Sequence, residues 1–239
     1  MSFARLLAKL QGSRLLALGL ASGVAFAAMV SGSAARAEDT FSWSGFYIGG
    51  VAGYNWNKDL TSEYITATGA ARGITFPYDP DGMSGGVKAG VNFEAGSFVY
   101  GVEGDFELTN IKGTFIDRIE NIGRGDDKYD WQASLRARMG LSMDRLMVYG
   151  TGGLSVARIE NTYTLVPFGI SEKFESTRTG WTAGAGADYA ITDHLIAGVE
   201  YRFTKFEKFS NVSTVAFPGL TGTQEPTSHA LRFSLSYKF

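Results

Sequence analysis

The chain has 239 residues, with 31 glycines, 5 prolines and no cysteine, so a disulfide framework and any thiolate metal site are excluded. It carries 22 basic against 24 acidic residues. That balance, without clustered Lys and Arg, excludes a nucleic-acid partner, because phosphate contacts need concentrated positive charge.

Residues 1–37 read as a secretory signal peptide. Arg5, Lys9 and Arg14 form the basic start, Leu15–Val30 carries no charge, and Ala35-Arg36-Ala37 supplies a small-x-small cleavage pattern before Glu38. The apolar run is short for a helix crossing roughly 30 Å of hydrocarbon, which needs about 20 residues. No cysteine follows it to take a lipid. The leader contains Arg5, Lys9, Arg14 and Arg36 and no acid, so the mature domain, 38–239, has a formal charge of about −6. No later stretch reaches the length of a membrane helix. If the mature chain spans a membrane, it must do so as a closed barrel.

After a short polar and aromatic lead-in, Gly45–Asn57 places Phe46, Ile48, Ala52, Tyr54 and Trp56 on one face. Side chains alternate across a strand, so this period-two pattern predicts a strand. Lys58–Gly82 is long and polar and reads as a loop. Met83–Phe93 alternates again, Glu94–Ser97 turns tightly, and Phe98–Leu108 sets Phe98, Tyr100, Val102, Phe106 and Leu108 against Glu103, Asp105 and Glu107. Thr109–Asp127 is a second long loop. Lys128–Leu141 is the most regular strand, with Tyr129, Trp131, Ala133, Leu135, Ala137, Met139 and Leu141 opposite Gln132, Ser134, Arg136 and Arg138. Ser142–Arg145 turns, Leu146–Glu160 returns, and Asn161–Ser176 is a third loop. Thr177–Ala190 and Leu195–Lys205 flank a turn at Ile191–His194. A fourth loop, Phe206–Thr227, leads to His229–Phe239, where His229, Leu231, Phe233, Leu235, Tyr237 and Phe239 oppose Arg232 and Lys238.

Eight strands thus alternate with three short turns and four long loops. That is the plan of an antiparallel up-and-down transmembrane β-barrel, all-β, with short periplasmic turns and long extracellular loops. The polar faces hold Lys88, Glu103, Asp105, Glu107, Arg136, Arg138, Asp188, Glu200, Arg202, Arg232 and Lys238. In a soluble sandwich they would form the wet outer face. Against that, aromatics gather near strand ends: Phe46, Tyr54, Trp56, Phe93, Phe98, Tyr129, Trp131, Trp181, Tyr189, Tyr201, Phe203, Tyr237 and Phe239. Aromatic girdles at two membrane interfaces explain that placement. An eight-stranded barrel is barely wide enough for its own side chains, so the charges should pair across it and fill it.

Three segments resemble a known family: Phe41-Ser-Trp-Ser-Gly-Phe-Tyr-Ile-Gly-Gly-Val-Ala-Gly-Tyr-Asn-Trp, Leu146-Met-Val-Tyr-Gly-Thr-Gly-Gly-Leu and the terminal Leu235-Ser-Tyr-Lys-Phe. They are similar to the small eight-stranded outer-membrane proteins of alphaproteobacteria, the porin-family surface antigens that include hemin-binding members. Their fold is similar to the OmpA transmembrane barrel. The resemblance covers essentially the whole mature chain. It implies integral residence in the outer membrane, among lipopolysaccharide and phospholipid. It also implies that Tyr237 and Phe239 act as the signal read by the barrel-assembly machinery. It supplies no catalytic residues. Since the sequence stops at the eighth strand, no peptidoglycan-binding domain is expected to follow.

Other motifs carry little. Gly150-Thr-Gly-Gly153 lacks the Lys-Ser/Thr of a phosphate loop and sits within a strand. Asn211-Val-Ser213 has the form of a glycosylation triplet without a setting for it. His194 and His229 fall at opposite rims, too far apart for a shared metal site. The sequence His229-Ala-Leu231 offers no nucleophile, so no enzyme is expected. Glu103, Asp105 and Glu107 have natural partners in Arg136 and Arg138. The expected function is a structural, surface-antigen-like barrel with a salt-bridged, non-conducting interior, and with loops free to meet a host or small-molecule ligand. The alternative is a narrow porin or a hemin or small-solute uptake protein, resting on Tyr64, Phe76, Tyr78, Tyr163 and Phe168. No cofactor or metal is expected.

Overall fold

In the computed structural model, which describes residues 41–116 and 122–239, the alternating segments become eleven strands. Ala35, Ala37 and Glu38, the expected cleavage residues, lie outside the described residues. The strands are β1 Gly45–Ile65, β2 Ala71–Tyr78, β3 Asp81–Ala95, β4 Phe98–Ile116, β5 Gly123–Met143 and β6 Leu146–Leu165. Then come β7 Ile170–Ala190, β8 Leu195–Phe206, β9 Phe209–Ser213, β10 Leu220–Gln224 and β11 Thr227–Lys238. Eight of them form a ring in the order β1-β3-β4-β5-β6-β7-β8-β11, and β11 pairs back onto β1 from Tyr47↔Lys238 to Lys58↔Thr227. Closure leaves neither edge of the ring exposed.

The ring is apolar outside and polar inside. Leu154 is 72% exposed, whereas Arg136, on the inner face of the neighbouring strand, is 1% exposed. In water this would be an inverted fold. In lipid the outward Leu, Val and aromatic side chains meet a solvent of their own kind. The two-residue turns at Gly96-Ser97 and Asp144-Arg145 use φ of 63° and 52° at their first positions. Gly adopts that left-handed region freely and Asp tolerates it.

The structure corrects the sequence reading in several places. The segments assigned as long loops are largely strand. β1, β4, β5, β6 and β7 run well past the apolar belt, β2 and β10 pair onto the outer part of β1, and β9 pairs onto β10. Beyond the lipid, both faces of a strand are wet. The hydrophobic alternation that marks a strand is therefore lost while backbone pairing continues.

Tyr129, read as lipid-facing, is 1% exposed and points inward. The ladder shifts between Leu108 and Ile111 on β4 and between Tyr129 and Trp131 on β5. One extra residue in a ladder moves every later side chain to the opposite face. Trp131 stays outside; Tyr129 and Ile111 turn in.

The lead-in is also more than a tether. Trp43 is fully buried and packs with Phe41, Val99, Met147, Tyr149, Ala190 and Ile196. Its indole N–H donates to the Asp144 carbonyl at 2.9 Å, and its backbone N–H donates to Glu94 Oε2 at 2.9 Å. The turn end of the barrel is thereby filled by side chains that precede the first strand.

Candidate functional site

Among the described residues, chemistry-bearing side chains converge in the barrel interior. Glu103, Asp105 and Glu107 project inward from β4, and Arg136 and Arg138 from β5. Asp188 comes from β7, Glu200 and Arg202 from β8, Arg232 from β11 and Lys88 from β3. Strand register alone sets Glu103 opposite Arg136 and Glu200 opposite Arg232. Further contacts join neighbouring strands, and those between β4 or β5 and β7, β8 or β11 cross the lumen. Arg136 reaches Glu103 at 2.5 Å, Glu200 at 2.7 Å and Asp105 at 3.1 Å. Arg202 pairs with Asp105 at 2.7 Å and Glu107 at 3.5 Å. Arg232 pairs with Glu107 at 2.7 Å and Glu200 at 3.1 Å. Glu103 also meets Lys88 at 3.3 Å and Arg138 at 3.5 Å, and Arg138 closes on Asp188.

Neutral groups complete the shell. Tyr47 donates its hydroxyl to Glu103 at 2.8 Å, Ser84 to Glu107 at 2.7 Å and Ser134 to Asp105 at 2.6 Å. The Arg138 guanidinium lies 3.6 Å from the centre of the Tyr149 ring. Buried charges persist only when paired and hydrogen-bonded, and these are both.

Lys238 does not join them. Its ammonium donates to the Ser42 carbonyl at 2.6 Å and sits 4.8 Å from the Phe41 ring. The last strand carries it past the lumen to the rim, where the lead-in crosses. Without Lys238, the layer contains five acids and five bases and is electrically neutral.

Above the charged layer, Ile111, Tyr129, Ala157, Ile159 and Phe206 form an apolar inner band. Above that, the strand extensions enclose polar side chains. Asn161 donates to Asp127 at 2.6 Å and accepts from Asn211 at 3.3 Å. Burial is the largest effect on Asp127, and with repulsion from Asp59 it pushes that carboxyl up to about 8. Burial likewise raises Asp59 to about 7. Glu172 shows the reverse. Desolvation raises it, but hydrogen bonds from Ser213 and from the backbone N–H groups of Thr214, Ala216 and Val215 outweigh that and hold it at about 2.

A cavity of about 60 Å³ opens at this outer end, lined in part by Thr61, Glu63, Arg72, Phe115, Tyr163 and Phe217. Of the aromatics expected to bind a ligand, Tyr163 lines it. Phe168 stands on the outer turn, 75% exposed. The side chains of Phe76 and Tyr78 lie outside the described residues. His229 Nδ1 meets the Tyr201 hydroxyl at 2.7 Å and the ring stacks on Trp56. His194 Nδ1 meets the Lys238 carbonyl at 2.9 Å at the opposite rim.

Sequence reasoning missed Trp43 and the Asp59–Asp127 chamber. For Trp43 the available signal was an indole before the first strand. For the chamber there was none, because its residues lay in segments read as loops.

Residues 23–239 match the outer membrane protein beta-barrel domain. The chain belongs to this family. Among relatives of the same class, the 31 kDa outer-membrane immunogenic protein of Brucella melitensis is 33% identical over 87% of this chain and 89% of its own length. The 22 kDa outer membrane protein of Rhizobium leguminosarum is 31% identical over 70% of this chain and 65% of its own. The structure of the outer membrane protease OmpT from Escherichia coli aligns over 82% of this chain and 97% of its own. Its TM-score is 0.53 at 10% identity, a likeness of fold alone. The family places this chain in the outer membrane, as the inverted polarity of its wall requires.

Proposed function

We propose that the protein is a structural outer-membrane barrel with a non-conducting interior and an ordered outer end that meets the surroundings of the cell. The observation that carries this reading is the neutral ion-pair layer, in which ten charged side chains pair with one another inside the lumen. The Trp43 plug beneath it supports the same conclusion. The reading is non-enzymatic. His229 is engaged by Tyr201 and Trp56, while the neighbouring Ser228 is buried toward the lumen. The test is planar-bilayer conductance of the refolded protein, with no stable single-channel steps expected. Steps that disappear when Arg136 or Glu103 is replaced would overturn the reading.

Small-solute binding at the outer end is a second reading, favoured by the outward cavity at Tyr163. Hemin is a convenient probe of it. An unchanged hemin absorbance spectrum on titration would remove that ligand.

The reading includes a signal peptide over 1–37 and recognition of Tyr237 and Phe239 by the assembly machinery. Phe239 is exposed, and its backbone N–H donates to the Phe46 carbonyl at 3.0 Å, a modest contribution to the closed seam. Deleting Phe239 should therefore reduce outer-membrane levels more than it changes the finished fold. Wild-type levels of the truncated chain would count against this role.

A further inference from the structure

The lipid-side face of the wall carries two bases that no carboxylate neutralises. Lys58 on β1 and Lys205 on β8 are exposed and point outward. They flank Thr227 of β11, which is opposite Lys58 in one ladder and opposite Lys205 in the other. Neighbouring strands lie about 4.7–4.9 Å apart, so the two Cα atoms are roughly 10 Å from each other, within joint reach of two lysine side chains. Among the described residues, neither ammonium forms an ion pair. The acids around them are engaged elsewhere or stand off. Glu225 pairs with Lys208 at 2.8 Å, Glu207 accepts from the Thr179 hydroxyl at 3.0 Å, and Asp81 accepts from Tyr54. Asp79, beside Lys58 by continuation of the β1–β2 register, makes no ion pair with it. The bases on the outer parts of β5, β6 and β7 are treated differently. Lys128 pairs with Asp130 at 2.7 Å, Lys173 with Glu160 and with Glu175 at 2.8 Å, and Arg158 with Glu175.

An aromatic shelf lies directly below the two lysines. Trp56, His229 and Phe203 are opposite one another on β1, β11 and β8, two residues nearer the short turns. The His229 ring stacks on Trp56 with centroids 6.1 Å apart and meets Phe203 edge-on at 5.2 Å, and Phe203 lies 5.3 Å from Trp181. Such rings mark the edge of the hydrocarbon. Lys58 and Lys205 stand roughly 7 Å beyond them, at the height of the headgroups on the long-strand side of the membrane. A lysine at that height lays its stem on apolar surface and extends its ammonium into the polar layer. Two unpaired positive charges over an apolar shelf are complementary to an acidic lipid, with an anionic group for the lysines and acyl chains for the rings.

We propose that Lys58 and Lys205 clasp the phosphate of one phosphorylated lipid of the outer leaflet, whose acyl chains lie against Trp56, Phe203 and Trp181. The site belongs to the outer surface of the wall and is independent of whether the lumen conducts.

The test uses the refolded mature chain in a neutral detergent, with bisphosphorylated lipid A as the probe and its dephosphorylated form as the comparison, read by native mass spectrometry. One lipid per barrel is expected, with the phosphorylated form favoured at least about fivefold, the effect of one basic residue at an anionic surface. Lys58→Gln and Lys205→Gln should each weaken binding of the phosphorylated form by about that factor. Lys128→Gln removes a base already paired with Asp130 and should leave it unchanged. All three lysines are exposed, and heat-modifiable gel mobility verifies that each variant is folded. Four results would each overturn the proposal: equal binding of the two lipid forms, equal affinity in the three variants, several lipids bound with one shared affinity, or displacement of the lipid by equimolar inorganic phosphate.

Discussion

Replacing Arg136 with Met is the sharpest perturbation of the ion-pair layer. Arg136 bridges Glu103, Asp105 and Glu200 and donates to Thr151 at 3.1 Å, with its side chain fully enclosed. Met preserves most of the stem and removes the charge. The layer then holds five acids against four bases. Breaking a buried pair from one side costs about 3–5 kcal/mol, because the abandoned charge stays desolvated. The lower end applies here. Asp105 keeps Arg202, Glu200 keeps Arg232, and Glu103 keeps Lys88 and Arg138. At a urea dependence of about 1–3 kcal/mol per molar, the unfolding midpoint should fall by on the order of 1–3 M.

The assay is urea unfolding of the barrel in lipid vesicles, followed by tryptophan fluorescence and gel mobility. Adding Glu103→Gln to Arg136→Met restores neutrality and should recover part of the loss, giving a coupling of about 0.5–3 kcal/mol. An unchanged midpoint for Arg136→Met, or a double variant that loses the sum of the two singles, would refute the argument that the acids and bases act as one neutral unit.

Trp43→Ala should lower the same midpoint by about 3–5 kcal/mol equivalent, the usual range for emptying a large aromatic site, and an unperturbed midpoint would show that the plug contributes nothing to stability. Gly86→Ala should reduce the refolded fraction, because a Cβ there would meet the Phe106 carbonyl at 1.9 Å, whereas Gly50→Ala, with nothing within 4 Å on the lipid side, should refold normally. The outer ends of β1 and β5 should lose stability as pH rises. Asp59 and Asp127 have folded values raised to about 7 and about 8 from 3.8, so the folded state binds more protons than the unfolded one between those limits. The stabilisation is complete below about 4 and is lost as pH passes through about 8. Hydrogen-exchange protection relative to Asp127→Asn reads it, and identical pH profiles for the two proteins would contradict it.

The membrane-spanning wall was legible because lipid imposes a rule that sequence can display. Leu135, Ala137 and Met139 must face out if Arg136 and Arg138 face in, and that alternation fixes strand, register and compartment together. The pairing of Glu103 with Arg136 was legible for the same reason, since adjacent strands with opposite inward charges must meet. Tyr129 was not legible. A bulge at Asp130 leaves no mark in composition and depends on the partner ladder. Lys238 was misplaced because alternation gives the face of a strand but not the height at which the lumen ends. The Asp59–Asp127 chamber lay beyond reach altogether, since it needs β1 and β5 to continue where the hydrophobic pattern has stopped.

The same distinction explains how the barrel divides its work. Where lipid surrounds the wall, the lumen must pair every charge it contains, and the neutral layer does so. Where water surrounds the wall, the constraint relaxes, and that is where the outward cavity and the carboxyls raised by burial are found. The outer segments are also paired strands rather than free loops, as in the β6–β7 hairpin that ends at Val166–Phe168. A partner meeting such a surface finds it already ordered, so binding spends less of its free energy on fixing the backbone than it would on long flexible loops. Recognition by this protein is therefore expected at the paired outer end of the strands.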